Sequence, residues 1–385
     1  ITSIHGSGVT DQGRANVINN LREEYLIENI LNYKGELSGN HRFDATLVQS
    51  VNQRNTSRTE SEGTGFGNDI LRYDGITNAL FFKTNRIEEQ YRLASFLGRV
   101  RYTLMDKYLF TFTSRYDGAS VFAENNKWGF FPAAAVAWQM HKENFLSNIK
   151  AISSMKLRLS YGAVGNQSLD PYTTLGVVGN YPYIFNGVLF SGYLPGTQLN
   201  NLNLSWETST TLNAGLDFGL FSNRLTGSID YFDTRTTDLL TDISLSGIGG
   251  YTNTITNGGE TRNHGIEILL SGNIIRNKNF NWNVTTAFTS YRNEIVKTGV
   301  TGVAGEQKND IGRGRYVGTP INNIRTYVFD GIFQTDADAI NSAQGSLGGT
   351  ITPFQNVATL LAGAIRLKDV NGDGRINDDD QVIFA

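Results

Sequence analysis

Residues 204–240 alternate with a period of two, and this limits what the chain can fold into more than any single motif does. Leu212, Ala214, Leu216, Phe218 and Leu220 fall on one face; Thr211, Asn213, Gly215, Asp217 and Gly219 fall on the other. Beyond a polar turn at Ser222-Asn223-Arg224 the pattern resumes, with Leu225, Gly227, Ile229 and Tyr231 opposite Thr226, Ser228 and Asp230. Successive side chains of a strand point to opposite faces, so two such runs about a short turn make a hairpin. A helix would instead gather its apolar residues at spacings of three and four.

The same unit recurs along the chain. Strand patterns are read at 25–35, 42–51, 89–104, from Tyr108, and at 128–141, 155–165 and 263–275, with another starting at Phe280. Residues 143–154 read as a short helix or an irregular connection. Short connections (38–40, 105–107, 221–224, 276–279) take turns with long ones (53–85, 115–127, 166–203, 241–262, and 294 onward). About ten strands in five hairpins result. Turns of a soluble sandwich recur every 8–12 residues or so. Short turns at one end and long loops at the other are the outer-membrane pattern. The expected fold is therefore all-β, an antiparallel transmembrane β-barrel, with an irregular lead-in at 1–22, strands and long extracellular loops at 23–293, and a late loop region at 294–385.

Composition fits this reading. Charged residues are 18% of the chain, below the roughly 25% of soluble domains. A net charge of −3 gives no reason to expect a nucleic-acid partner. Cysteine is absent, which rules out disulfides and thiolate chemistry in this chain and suits an oxidising envelope compartment. No run of about 18 apolar residues occurs, so no transmembrane helix is expected, but barrel strands need only about 9–11 residues with alternating faces. The first residues do not read as a signal peptide.

Several stretches carry a family resemblance. Trp128-Gly129-Phe130-Phe131-Pro132 is followed by Leu157-Arg158-Leu159-Ser160-Tyr161-Gly162 and Gly165-Asn166-Gln167. Trp206-Glu207, Asn213 to Phe218, Asn223-Arg224-Leu225, Tyr231 and Thr237 to Leu240 come next. Asn263-His264-Gly265-Ile266-Glu267, Trp282, Gly331-Ile332-Phe333-Gln334 and the run from Asp369 to Asn377 complete the order. Together they resemble the barrel of SusC/RagA-type TonB-linked outer-membrane transporters. That resemblance implies import of oligosaccharides or peptides across the outer membrane of a Gram-negative, Bacteroidota-like bacterium. A SusD-like surface lipoprotein would cover the barrel mouth, TonB would act through an N-terminal plug, and outer-membrane lipid would surround the wall. Such barrels have roughly 22 strands, so the chain is expected to be a partial barrel without plug or TonB-contacting segment. A passive porin-like barrel and a secreted carbohydrate-binding β-protein are the alternative readings.

The sharpest local signal is Asp369 to Asp380. Asp369, Asn371 and Asp373 stand at positions one, three and five of a Ca2+-loop template, and Gly374 stands at the turn. Arg375 would offer its carbonyl, Asn377 sits at nine and Asp380 at twelve. The competing reading is a turn whose carboxylates cap backbone N–H groups. Tyr172, Tyr181, Tyr183, Phe185, Phe190 and Tyr193 crowd one long loop, as a substrate or partner surface, or as loop packing and membrane girdle. Trp128, Phe130, Phe131, Trp138, Trp206 and Trp282 are expected at the interface girdles. Arg115 with Asp117, and Arg158, are expected to form ion pairs in the lumen. His5, His41, His141 and His264 stand apart from one another, and no H-E-x-x-H, G-x-S-x-G or P-loop occurs, so no enzyme activity is expected.

Overall fold

The computed structural model describes residues 12–68, 70–176, 178–301, 307–342, 344 and 362–384. The remaining parts of the expected lead-in and late region, His5 among them, lie outside the described residues. The chain forms two compact units. One holds the residues up to Gly259 together with His264–Tyr291; the other holds Glu260–Asn263 and the residues from Arg292 onward.

Long antiparallel strands dominate. In chain order they are β1 (Arg14–Ser38), β2 (His41–Thr64), β3 (Phe81–Leu104), β4 (Tyr108–Ala119), β5 (Trp128–Trp138), β6 (Ile152–Asn166), β7 (Val178–Phe185), β8 (Val188–Pro195), β9 (Gln198–Leu199), β10 (Glu207–Leu220), β11 (Leu225–Ser244), β12 (Asn253–Arg276) and β13 (Asn281–Thr298). The main sheet runs β1-β2-β3-β4-β5-β6-β10-β11-β12-β13, with β9 added beside β12. The expected ten strands in hairpins are thus present, and this path of strands does not close on itself. Later come β14 (Ile324–Tyr327), β15 (Phe329–Ile332), β16 (Ile365–Leu367) and β17 (Gln381–Phe384), paired as β14-β17 and β15-β16.

Register separates the two faces. One cross-strand row runs Tyr102↔Phe110↔Val136↔Leu159↔Ala214↔Tyr231. The adjacent row runs Arg101↔Thr111↔Ala135↔Ser160↔Asn213↔Phe232. Phe110, Val136, Leu159 and Tyr231 are all exposed. A row of large apolar side chains left exposed in this way is the pattern of a lipid-facing barrel wall.

Several boundaries differ from expectation: the loop at 115–127 shrinks to 120–127 because β4 runs to Ala119, and the strand read at 128–141 ends at Trp138. β1 starts at Arg14, inside the expected lead-in. The expected loop at 53–85 shrinks to 65–80, because β2 runs to Thr64 and β3 starts at Phe81. Likewise 241–262 shrinks to 245–252. Beyond the apolar band β2 carries polar residues on both faces, so alternation vanishes while the hydrogen-bond ladder continues. Polar pairs support it there: Asn16 donates to Glu60 at 2.8 Å, Gln90 donates to Asn55 at 3.0 Å, and Arg14 pairs with Glu62 at 3.2 Å.

At the short-turn end a single carboxylate ties two connections together. Glu143, after β5, receives Lys107 Nζ at 2.9 Å, the Tyr108 hydroxyl at 2.8 Å and Trp138 Nε1 at 3.2 Å. These donors, Lys107 foremost, lower its pKa from 4.5 to about 2. The folded value lies below the unfolded one, so the stabilisation is complete above about pH 4.5 and is lost as pH falls toward about 2. Glu143→Gln should therefore flatten the acid limb of a pH–stability curve over that window and leave the neutral-to-alkaline limb unchanged.

Candidate functional site

The elements meeting at the long-loop end form the best-packed region of the first unit. Phe131 lies on the face of β5 opposite Trp128 and Phe130, since alternate residues switch faces. Its ring occupies space left by glycines: a Cβ on Gly165 would stand 2.0 Å from the ring, and one on Gly129 2.4 Å. Trp206 packs edge-on to Phe131 and tilted to Phe122, each at 5.4 Å between ring centroids. Ala119, Val121 and Leu204 complete this cluster. Trp206 Nε1 donates to the Lys127 carbonyl at 2.9 Å, joining the 167–206 connection to the residue before β5.

Glu207 extends the joint. Its Oε2 accepts from Asn166 Nδ2 at 2.6 Å, and its Oε1 accepts the Leu240 N–H at 2.8 Å. Asn257 reaches across from β12, accepting from Ser205 N and donating to the Ser205 and Asp238 carbonyls. Four strands, β6, β10, β11 and β12, and one long connection are thereby held in a single hydrogen-bonded frame. Phe131 and Trp206 are buried here, which corrects their expected place at the girdle. Trp128, Phe130 and Trp282 do lie exposed, and Trp138 is half-buried. Trp128 and Trp138 bound β5 on its apolar face. Ten residues span about 33 Å along a strand; tilted by roughly 40°, that is about 25 Å, the height of an outer-membrane apolar band.

The polar face carries the expected ion pairs. Arg158 grips Asp217 at 2.7 Å and Asp230 at 2.9 Å, and Lys156 adds to Asp217 at 2.8 Å. Gly215 sits beneath, where a Cβ would come within 2.3 Å of Asp230 Oδ1. Arg115 pairs with Asp117 at 2.6 Å and donates to Ser95.

The aromatic loop contains a hairpin of its own. β7 and β8 meet at Asn186-Gly187, whose φ values of 50° and 75° match the turn type that Asn-Gly favours. Tyr181, Tyr183, Phe185 and Phe190 share one face, with Tyr183 and Phe190 stacked at 5.7 Å. Tyr193 lies on the other face, and Tyr172 lies outside the hairpin at a left-handed φ of 67°. All six are exposed, and residues 178–195 contain no charged side chain. Such a hairpin offers flat rings and no charge, a surface suited to a sugar ring, a peptide or a protein partner.

The Asp369–Asp380 loop is held by its own side chains. Asp369 accepts from the N–H groups of Gly372 at 2.7 Å and Gly374 at 2.8 Å; Asn371 accepts from Asp373 N, and Asp373 from Arg375 N. Gly374 takes the turn at φ 80°. Asn377 and Asp380 form a capping box, and Asp380, fully buried, also accepts from Val370 N. Its oxygens are thus engaged by backbone donors; Asp369 is half-buried, while Asn371 and Asp373 stay exposed. Among the described residues no three His, Cys, Asp or Glu side chains converge as a metal site. The described histidines do not meet either: His41 contacts the Tyr102 hydroxyl and His141 the backbone of Met155.

A family model for the TonB dependent receptor-like β-barrel matches residues 3–377. The TonB-dependent receptor P26 of Formosa agariphila is 32% identical over 369 residues, 93% of this chain and 36% of that protein. The TonB-dependent receptor SusC of Bacteroides thetaiotaomicron is 39% identical over 211 residues, 53% of this chain and 21% of that protein. Among solved structures, the RagAB peptide transporter superposes with a TM-score of 0.71 at 23% identity, covering 83% of this chain and 35% of that one. The chain therefore spans between about a fifth and little more than a third of the length of these relatives.

Proposed function

The chain belongs to the TonB-dependent receptor-like β-barrel family, and from that premise we propose that it forms part of the wall of a SusC/RagA-type importer in the outer membrane of a Gram-negative, Bacteroidota-like bacterium. The whole protein would take up oligosaccharides or peptides. TonB would drive uptake through another part of the polypeptide, and a SusD-like surface lipoprotein would close over the long loops. The observation that carries this reading is the exposed apolar face, bounded on β5 by Trp128 and Trp138 and backed by a charged inner face. A secreted carbohydrate-binding protein would leave that face in water. The relatives matched are receptors and transporters by name, which supports a non-enzymatic role.

The charge-free hairpin β7-β8 is the surface we assign to substrate or lipoprotein. Uptake assays on cells producing the whole protein test the scheme. Loss of the gene should abolish growth on one glycan or peptide class, and depletion of TonB should reproduce that loss. Uptake that continued without TonB would instead identify a passive pore. Exchanging residues 178–195 for a short Gly-Ser turn should remove the lipoprotein or the substrate and leave the barrel in the membrane.

Ca2+ at Asp369, Asn371 and Asp373, with the Arg375 carbonyl, belongs to the same proposal. Their donor spacing and the turn at Gly374 support it, and Asp380 would serve as the structural cap. Millimolar Ca2+ should raise the melting temperature of the whole protein relative to chelator, and Asp369→Ala with Asp373→Ala should remove the difference. Equal melting temperatures with and without Ca2+ in the unsubstituted protein would dismiss the cation.

A further inference from the structure

At the short-turn end of the wall, charge departs from the rest of the chain. The connections there, each taken with two residues on either side, span 37–42, 103–109, 137–153, 219–226 and 275–282. These stretches hold seven basic residues and two acidic ones, although the whole chain carries −3. Both acids are already engaged: Arg42 pairs with Asp106, and Lys107 pairs with Glu143 at 2.9 Å. Lys142, Lys150, Arg224, Arg276 and Lys278 remain, and none of them pairs with a carboxylate among the described residues. Large apolar side chains stand exposed beside these cations. Phe145 rests against Trp138 at 6.1 Å between ring centroids, so it prolongs the aromatic edge of the apolar face past the end of β5. Ile149, next to Lys150, and Phe221, three residues before Arg224, are exposed as well. Two hydrogen bonds hold these connections side by side: Phe221 N–H donates to the Ala151 carbonyl at 2.8 Å, and Asn223 N–H to the Ser153 hydroxyl at 3.1 Å.

We propose that this rim binds the anionic phosphate head groups of phospholipid in the periplasmic leaflet, with Lys142, Lys150 and Arg224 at the phosphates and Phe145, Ile149 and Phe221 at the acyl boundary. The inference rests on the reading of the wall as lipid-facing with its short turns toward the periplasm. Lysine and arginine lay their stems along apolar surface and carry the charge to the level of the head groups. Aromatic rings favour the membrane–water interface. A basic segment beside an anionic leaflet is drawn to it, and apolar side chains on the same segment add buried area. A soluble acidic partner would match the cations alone. It would leave Phe145 unexplained, because that ring is continuous with the Trp138 edge of the lipid-facing girdle. The cations and the rings belong to the same connections, and a phospholipid has both a phosphate for the first and a hydrocarbon chain for the second.

The whole protein in nanodiscs of equal parts phosphatidylglycerol and phosphatidylcholine tests this by native mass spectrometry of the lipids it retains. Phosphatidylglycerol should be retained over phosphatidylcholine by about fivefold or more, the ratio that one basic residue at an anionic surface confers. Lys142→Gln with Lys150→Gln and Arg224→Gln should bring that ratio to about one. The same loss of charge toward the long-loop end, through Arg22→Gln, Arg58→Gln and Arg86→Gln, should leave it unchanged. Heat-modifiable migration in gels should be kept by both variants, showing that the barrel folds. The chain has no cysteine, so Phe145→Cys can carry a single benzophenone maleimide, which in cells should photo-cross-link to phospholipid. No preference for phosphatidylglycerol in the unsubstituted protein, an equal drop in both triple variants, or a cross-linked product with a protein's mass would each overturn the proposal. Labelling of Leu159→Cys, on the exposed apolar face, by a bilayer-soluble maleimide and not by a charged one checks the lipid-facing premise separately. If the charged reagent labels it, the premise fails, not merely the head-group site.

Discussion

Trp206→Ala is expected to destabilise the barrel by about 3–5 kcal/mol, the range for removing a large buried aromatic side chain. The side chain is 6% exposed and contacts Phe122 and Phe131, so its loss leaves a cavity that the glycine-backed Phe131 ring cannot fill without moving. The Lys127 carbonyl also loses its indole donor. Trp206→Phe separates the two effects. It keeps most of the packing and should cost about 1 kcal/mol for the missing hydrogen bond. Urea titration of the whole protein in detergent, followed by gel migration, would measure both. Because the indole joins the 167–206 connection to the residue before β5, the alanine variant should also expose the long loops to limited proteolysis while the strand ladder stays protected. A loss no larger than that of Trp206→Phe would mean the aromatic cluster contributes little beyond its one hydrogen bond.

What could be read in advance follows a physical boundary. Hairpin β10-β11 was legible because one face is apolar and the other largely polar over most of its paired length, from Ala214↔Tyr231 to Leu220↔Leu225. Residues 53–64 were not, because there both faces are polar and the ladder alone makes the strand; residues 14–22, where Ala15, Val17 and Leu21 do share a face, pair with that polar stretch. Phe131 was misplaced although its parity was visible. In Trp128-Gly129-Phe130-Phe131 it is the residue in phase with glycine rather than with tryptophan, and a glycine beside an aromatic residue on one face signals ring-on-backbone packing. Trp206 precedes its strand, so parity assigns it no face. The β7-β8 hairpin did have a local sign, Asn186-Gly187 between apolar runs. Glu207 had none: its partners Asn166 and Leu240 meet only through the sheet.

Two neighbouring residues decide the orientation of the wall. Tyr161 pairs with Ala134 on β5, six residues from Trp128 and four from Trp138, so it stands near mid-band on the apolar face. Ser160, one residue earlier, pairs with Ala135 and Asn213 on the opposite face. Tyr161→Arg should cost about 2–4 kcal/mol, as a cation at the bilayer midplane on a barrel exterior does. Ser160→Arg should cost less than about 1 kcal/mol, because an arginine there meets a wall already built from Arg158, Lys156, Asp217 and Asp230. Intrinsic strand propensity cannot produce that contrast, since the same residue enters the same strand at adjacent positions. Lipid is the source of the asymmetry, so the contrast should be present for protein folded into bilayers. Refolding yield and urea midpoint for both variants in vesicles would measure it. Equal costs would mean that both faces meet water. A larger cost at Ser160 would turn the wall inside out and place the ion pairs, rather than the aromatics, against the membrane.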